Sequence, residues 1–144
     1  MNGGGGGLER FVRAQEGVYE QALAELQAGA KVSHWMWFVL PQIAGLGRSD
    51  MARRYALSGL DEAAAYAAHP VLGARLRECT DAMLGWAGQR SARAILGGID
   101  ALKFASSMTL FEAACPGEER FAAALEVFNG GVRDRATLDL LASG

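Results

Sequence analysis

Apolar residues in this chain recur at steps of three and four, and nowhere do they alternate with polar ones for more than four residues. That spacing gathers them on one face of a helix and leaves no half-buried strand from which to build a sheet. Glycine apart, alanine, leucine, arginine and glutamate are the commonest residues, while valine, isoleucine, threonine and tyrosine are scarcer, which favours helix again. A length of 144 residues suits one domain. With 51% hydrophobic and 21% charged residues the chain has the composition of a globular protein, not a disordered one. The expectation is an all-α fold: a single compact, irregular domain of seven or eight helices over residues 8–142. It follows a disordered glycine-rich tail at residues 1–7, since five consecutive glycines, Gly3 to Gly7, are entropically costly to order.

Punctuation divides the rest. One apolar face runs through Leu8, Phe11, Val18, Ala22 and Leu26 to a stop at Gly29, interrupted by Gln15 and weakened by Gly17. Ser33 is the expected N-cap of a short helix to Leu40, which Pro41 ends. Ser49 or Asp50, Ser58, Ser91, Asp100 and Asp134 mark further helix starts, and His69-Pro70 separates two helices. The stretch from Lys31 to Arg48 holds two of the three tryptophans and belongs near the middle of the fold. So does the helix expected from Ala101 to Ala114.

Several functions are disfavoured. A net charge of −2 argues against a general binder of nucleic-acid backbones. Cys79 and Cys115 lie at no metal-ligand spacing, and two distant histidines without a carboxylate cluster make no metal site. No cofactor is expected. No apolar run reaches membrane-spanning length and the start resembles neither a signal nor a transit peptide, so the expected location is cytoplasmic, with no membrane partner.

The residues Ser33-His34-Trp35-Met36-Trp37-Phe38 with Pro41-Gln42, then Gly45 to Ser49, His69 to Gly73, and Asp100 to Lys103 leading into Ser106 to Phe111, carry a resemblance. Spanning Leu8 to Ala142, the chain resembles a bacterial domain-of-unknown-function family, number eighteen-ten, whose members are often labelled calpastatin. The resemblance implies a single all-α domain and supplies no activity. The calpastatin label has no support, since calpastatin is disordered and repetitive and this chain is neither.

Polar residues interrupt apolar faces in three segments. Trp35 and Trp37 lie about 200° apart on a helix, so at most one lines a cleft. His34 and Gln42 would orient a ligand there, or bond to backbone in a plain core. Lys103 shares a helix face with Ser106 and Ser107. A mid-helix serine bonds to the preceding turn, so a Ser-Lys nucleophile is disfavoured and Lys103 reads as a binder of anions, or else as an exposed lysine. Gln15 and Tyr19, one turn apart, either satisfy each other or point into the same cleft. The leading expectation is a cleft of Gln15, Tyr19, His34, Trp35, Gln42, Lys103 and Ser107 that binds a small, planar, anionic, nucleotide-like metabolite. No residue is assigned a catalytic role. The competing reading is a protein-interaction module without catalytic activity using the Met51 to Tyr66 region; in either case a monomer is expected over an oligomer.

Overall fold

A computed structural model describes residues 7–143 of the chain. The expected glycine tail lies outside the described residues up to residue 6. Ten helices follow: α1 (Glu9–Gln15), α2 (Tyr19–Ala28), α3 (Met36–Val39), α4 (Asp50–Arg54), α5 (Leu60–Ala68), α6 (Leu72–Leu84), α7 (Ala92–Leu96), α8 (Gly98–Ala114), α9 (Glu119–Asn129) and α10 (Arg135–Ser143). Among the described residues there is no strand. A single parallel bridge pairs Ile43 with Leu57. The fold is all-α and one domain, with more helices than the seven or eight expected.

The first extra helix comes from Gly17. Its φ of +74° is left-handed, so the chain turns there and the expected long first helix becomes α1 and α2. The short helix around the tryptophans is also smaller than expected. Ser33 does not cap it: Trp35 occupies the N-cap position without a side-chain bond, and the helix spans Met36–Val39. Ser49 and Ser91 do cap, accepting from the N–H groups of Ala52 and Ala94. His69 acts locally: its Nδ1 accepts from Val71 and Leu72 N–H, at 3.1 and 3.2 Å.

The core is organised by α8, which packs against α5, α7, α9 and α10. Every residue from Phe104 to Phe111 is buried, so this helix has no solvent face over two turns. Around it α6 touches α2, α5 and α9, and α1 touches α3. Trp35 and Leu40 are fully buried, which sets the 35–40 segment in the middle as expected. The junction of α5 and α6 is the tightest backbone approach: a Cβ on Gly73 would stand 2.1 Å from the Ala67 carbonyl oxygen.

Candidate functional site

The loop that carries His34 and Trp35 is held by one buried carboxylate. Glu25, on the inner face of α2, accepts from Val32 N–H at 2.9 Å, Ser33 N–H at 3.0 Å, Ser33 Oγ at 2.6 Å and Trp35 Nε1 at 2.9 Å. Gln21 adds a further bond at 2.9 Å. Burial by itself would raise this carboxyl, but the hydrogen bonds from Ser33, Gln21, Val32 and Trp35 outweigh it and hold Glu25 down at about 2. Ser33 is thus drawn away from α3, the physical reason it fails to cap it.

Against this loop lies a cationic pair. The Lys31 ammonium sits 2.8 Å from Asp100 Oδ2, donates to the Ser33 carbonyl at 2.7 Å, and lies 5.0 Å from the Trp35 ring centre. Lys103 approaches the other Asp100 oxygen at 3.7 Å and lies 5.0 Å from the Trp37 ring centre. One carboxylate therefore serves two ammonium groups, each over the face of a tryptophan. Lys31 is nearly buried and Lys103 a quarter exposed, so Lys103 is the more accessible ammonium group at the mouth of the loop. Trp35, just outside the helix at its N-cap, is fully buried and Trp37 is half-buried. His34 is exposed beside them.

Ser107 lies one turn beyond Lys103 and is fully buried. Its neighbours follow the expected mid-helix habit, Ser106 bonding to the Leu102 carbonyl and Thr109 to that of Ala105. Ser107 does not: its Oγ has no partner among the described residues. A lone buried hydroxyl costs about 1–3 kcal/mol, so this atom is a standing acceptor and donor in the core.

Gln15 and Tyr19 neither bond to each other nor join the lysines. The Gln15 amide donates to the Phe38 carbonyl at 2.7 Å and to Tyr66 Oη at 3.1 Å, and its Oε1 accepts from Arg75 at 3.2 Å. Tyr19 donates to the Glu78 carboxylate, and the Arg75 guanidinium lies 4.6 Å from its ring centre. Burial, then the neighbouring Cys79 and Glu78, push the Tyr19 hydroxyl far above its ordinary range. Gln42 is further removed. Half-buried, it flanks the Ile43–Leu57 bridge, where its backbone carbonyl accepts from Leu57 N–H at 2.9 Å.

The structure thus brings together Trp35, Lys103 and the loop of His34, sets Ser107 one turn deeper, and assigns Gln15 with Tyr19 to a polar network on Arg75. Glu25, Lys31, Asp100 and Arg75 were not singled out from the sequence. Glu25 gave a signal: it lies three residues after Ala22 and seven after Val18, on the apolar stripe of α2. Asp100 gave a weaker one, three residues before Lys103. Lys31 and Arg75 gave none, because their partners are distant in the chain. Among the described residues no cluster of histidine, cysteine, aspartate and glutamate is arranged to hold a metal ion.

This is a small, single-domain, all-α protein. The chain matches the family described as "Protein of unknown function (DUF1810)" over residues 6–141 and belongs to that family, as the tryptophan and Lys103 to Phe111 runs implied. It is similar to the solved structure of the conserved hypothetical protein Rv1873 from Mycobacterium tuberculosis. The two chains share 50% identity with a TM-score of 0.90, over 94% of this chain and 96% of that one. No curated protein matches it. None of the described helices is long and apolar enough to cross a membrane.

Proposed function

We propose that the chain binds a small, planar, anionic metabolite of nucleotide type at the Lys31–Trp37–Lys103 face. The observation that carries this reading is the sharing of Asp100 by two ammonium groups, each set over a tryptophan ring. A phosphate or carboxylate brought there would pair with Lys103, the more accessible donor and the more loosely held by Asp100, at 3.7 Å. His34, exposed on the same loop, is placed to contact the ligand's edge. The unpartnered Ser107 hydroxyl supplies a polar contact one turn inward. In this reading Gln15 and Tyr19 are positioning residues: Gln15 fixes the end of α3 through the Phe38 carbonyl. Gln42 contributes only through the chain path after Pro41.

The test is a thermal-shift screen against nucleotides, sugar phosphates and amino-acid derivatives. A ligand present at 100 times its Kd adds about 2.7 kcal/mol to native stability and raises the melting temperature by several degrees. His34→Ala with Lys103→Ala should abolish that rise. A screen in which no class shifts the melting point, or a shift that survives the double substitution, would overturn the reading.

A second reading keeps the chain as an interaction module without catalytic activity. It draws support from a groove of about 370 Å³ lined by Ile43, Ser58, Leu60, Asp61, Leu140 and Leu141. Its weakness is the lack of an anchor. Leu57 and Tyr66, the large side chains expected to present this surface, are fully buried.

A further inference from the structure

The three most exposed large apolar side chains among the described residues stand on two neighbouring segments, the 31–35 loop and the start of α8. Val32 is 76% exposed, Ile99 74% and Leu102 70%. Ile99 and Leu102 are one turn apart at the start of α8. The Lys31–Asp100 ion pair at 2.8 Å fastens the loop of Val32 beside them. A backbone bond from Lys31 N–H to the Ile95 carbonyl, at 2.7 Å, ties the same loop to α7. Scattered exposed aliphatics are ordinary, but here the three most exposed fall on two segments that are tied to each other, which points to a place of contact.

Cations outnumber acids around them, the acids being Asp100, between Ile99 and Leu102 in the chain, and Glu25, which accepts from Val32 N–H. The Arg93 guanidinium carbon lies 3.7 Å from where a Cβ on Gly98 would stand, at the head of α8. The Arg90 side chain passes 3.1 Å from the equivalent point on Gly29, two residues before Lys31. Both arginines are exposed, and neither forms an ion pair among the described residues. Lys103 adds a third cation, and Asp100 is already shared by two lysines. A cationic face thus stands on a chain whose net charge is −2.

We propose that this face docks an acidic, amphipathic segment of another protein. Val32, Ile99 and Leu102 receive its apolar side chains, and Arg90, Arg93 and Lys103 its carboxylates. A second copy of this chain fits poorly, because a two-fold contact sets Arg93 and Lys103 against their own mates. Single-stranded nucleic acid calls for flat aromatic platforms, and this surface offers aliphatics, with Lys103 lying over Trp37. A bilayer surface favours tryptophan and tyrosine at its edge, and here Trp35 is fully buried. The proposal goes beyond the metabolite site and shares only Lys103 with it.

The experiment pans a display library of random 16-residue peptides on the full chain. Enriched peptides should be rich in aspartate and glutamate, with apolar residues at steps of three and four. Their affinity should fall at least tenfold on Ile99→Ser with Leu102→Ser, fall similarly on Arg93→Glu, and weaken with added salt. Both variants leave His34 and Lys103 intact, so any metabolite-induced thermal shift should persist in them, which separates failure of this proposal from failure of the metabolite reading. Were the double variant to melt early, Arg93→Glu alone would decide. Enriched peptides that bind the variants as tightly as the parent chain would overturn the proposal, as would the absence of enrichment. Binding to phosphatidylserine vesicles in place of peptides, or self-association of the parent chain lost in the double variant, would overturn it too.

Discussion

The indole N–H of Trp35 donates to the Glu25 carboxylate at 2.9 Å inside the core. A fully buried large aromatic is therefore positioned by a buried charge, and the same carboxylate also holds the backbone of Val32 and Ser33. One side chain of α2 thus holds the inner side of the loop that Lys31 fastens to Asp100 and to the Ile95 carbonyl.

Stability should accordingly depend on acid in a stated direction. The folded Glu25 carboxyl titrates at about 2, below its ordinary 4.5, so between those values the unfolded chain binds more protons than the folded one. Its contribution is fully present above that ordinary value and is lost as pH falls through about 2. Glu112 beside Arg133 and Glu118 beside Arg77 are lowered too and act with the same sign. Urea denaturation at a series of pH values should show a steeper acid loss in the parent chain than in Glu25→Gln. At neutral pH that substitution should cost on the order of 3 kcal/mol, since it weakens several bonds to a charged acceptor. Equal acid slopes in the two proteins would remove the linkage.

What could be read in advance follows the range of the interactions. The fold class, the caps at Ser49, Ser91 and Asp134, and the His69 turn are legible because they depend on residues three or four apart, whereas α5 is entered from Gly59 rather than Ser58 and α8 starts at Gly98, ahead of Asp100. The split at Gly17 depends on a φ of +74°, and glycine also tolerates helical values, so sequence registers only a weak point there. The site was legible in part. Trp35 and Lys103 drew notice as residue types, but what brings them together is Glu25 and Asp100, acids whose partners lie on other segments. Gln15 and Tyr19 were legible as polar interruptions. Their partner, Arg75, is 60 residues from Gln15 and no local pattern points to it.

Ser107 should give two results of opposite sign. Its hydroxyl is buried and unpartnered, so Ser107→Ala removes an unsatisfied group at little loss of volume and should stabilise the free chain by roughly 1 kcal/mol. If the metabolite reading holds, the same substitution should shrink the ligand-induced rise in melting temperature. Differential scanning fluorimetry with and without the ligand found in the screen reads both. Destabilisation of the free chain would mean that the hydroxyl has a partner after all.

The two cysteines should differ in reactivity although both are free. Burial, then the neighbouring Glu78, push the Cys79 thiol up to about 12 against a partial opposing effect of its bond to Tyr19 and of Arg75. The thiolate is the reactive form, so Cys79 should resist alkylation in the native chain at pH 8. Cys115 at the end of α8 is only half-buried, and its thiol is raised as well, first by burial and then by Glu118. Peptide mapping after iodoacetamide treatment should find Cys115 modified slowly and Cys79 only after unfolding. Early modification of Cys79 would indicate that the α2–α6 contact opens.

Gly73 sets the sharpest test of packing. A Cβ there would stand 2.1 Å from the Ala67 carbonyl oxygen and 2.8 Å from Arg77 Nη1. The carbonyl is backbone and is itself held by that guanidinium at 2.8 Å, while the other side of Arg77 is paired with Glu118 at 2.7 Å. Neither obstacle can turn aside cheaply: moving the oxygen shifts the end of α5, and moving the guanidinium breaks the tie to Glu118 before α9. Gly73→Ala should therefore destabilise by about 1–3 kcal/mol despite alanine's better helix propensity, which by itself would favour the variant by about 1 kcal/mol. In a chain of this size that corresponds to a fall of roughly 3–12 °C in melting temperature. Arg77→Ala in the same background should recover part of the loss, because it removes one of the two obstacles. A Gly73→Ala variant that melts with the parent chain would show that α5 and α6 are not in the close contact on which this junction depends.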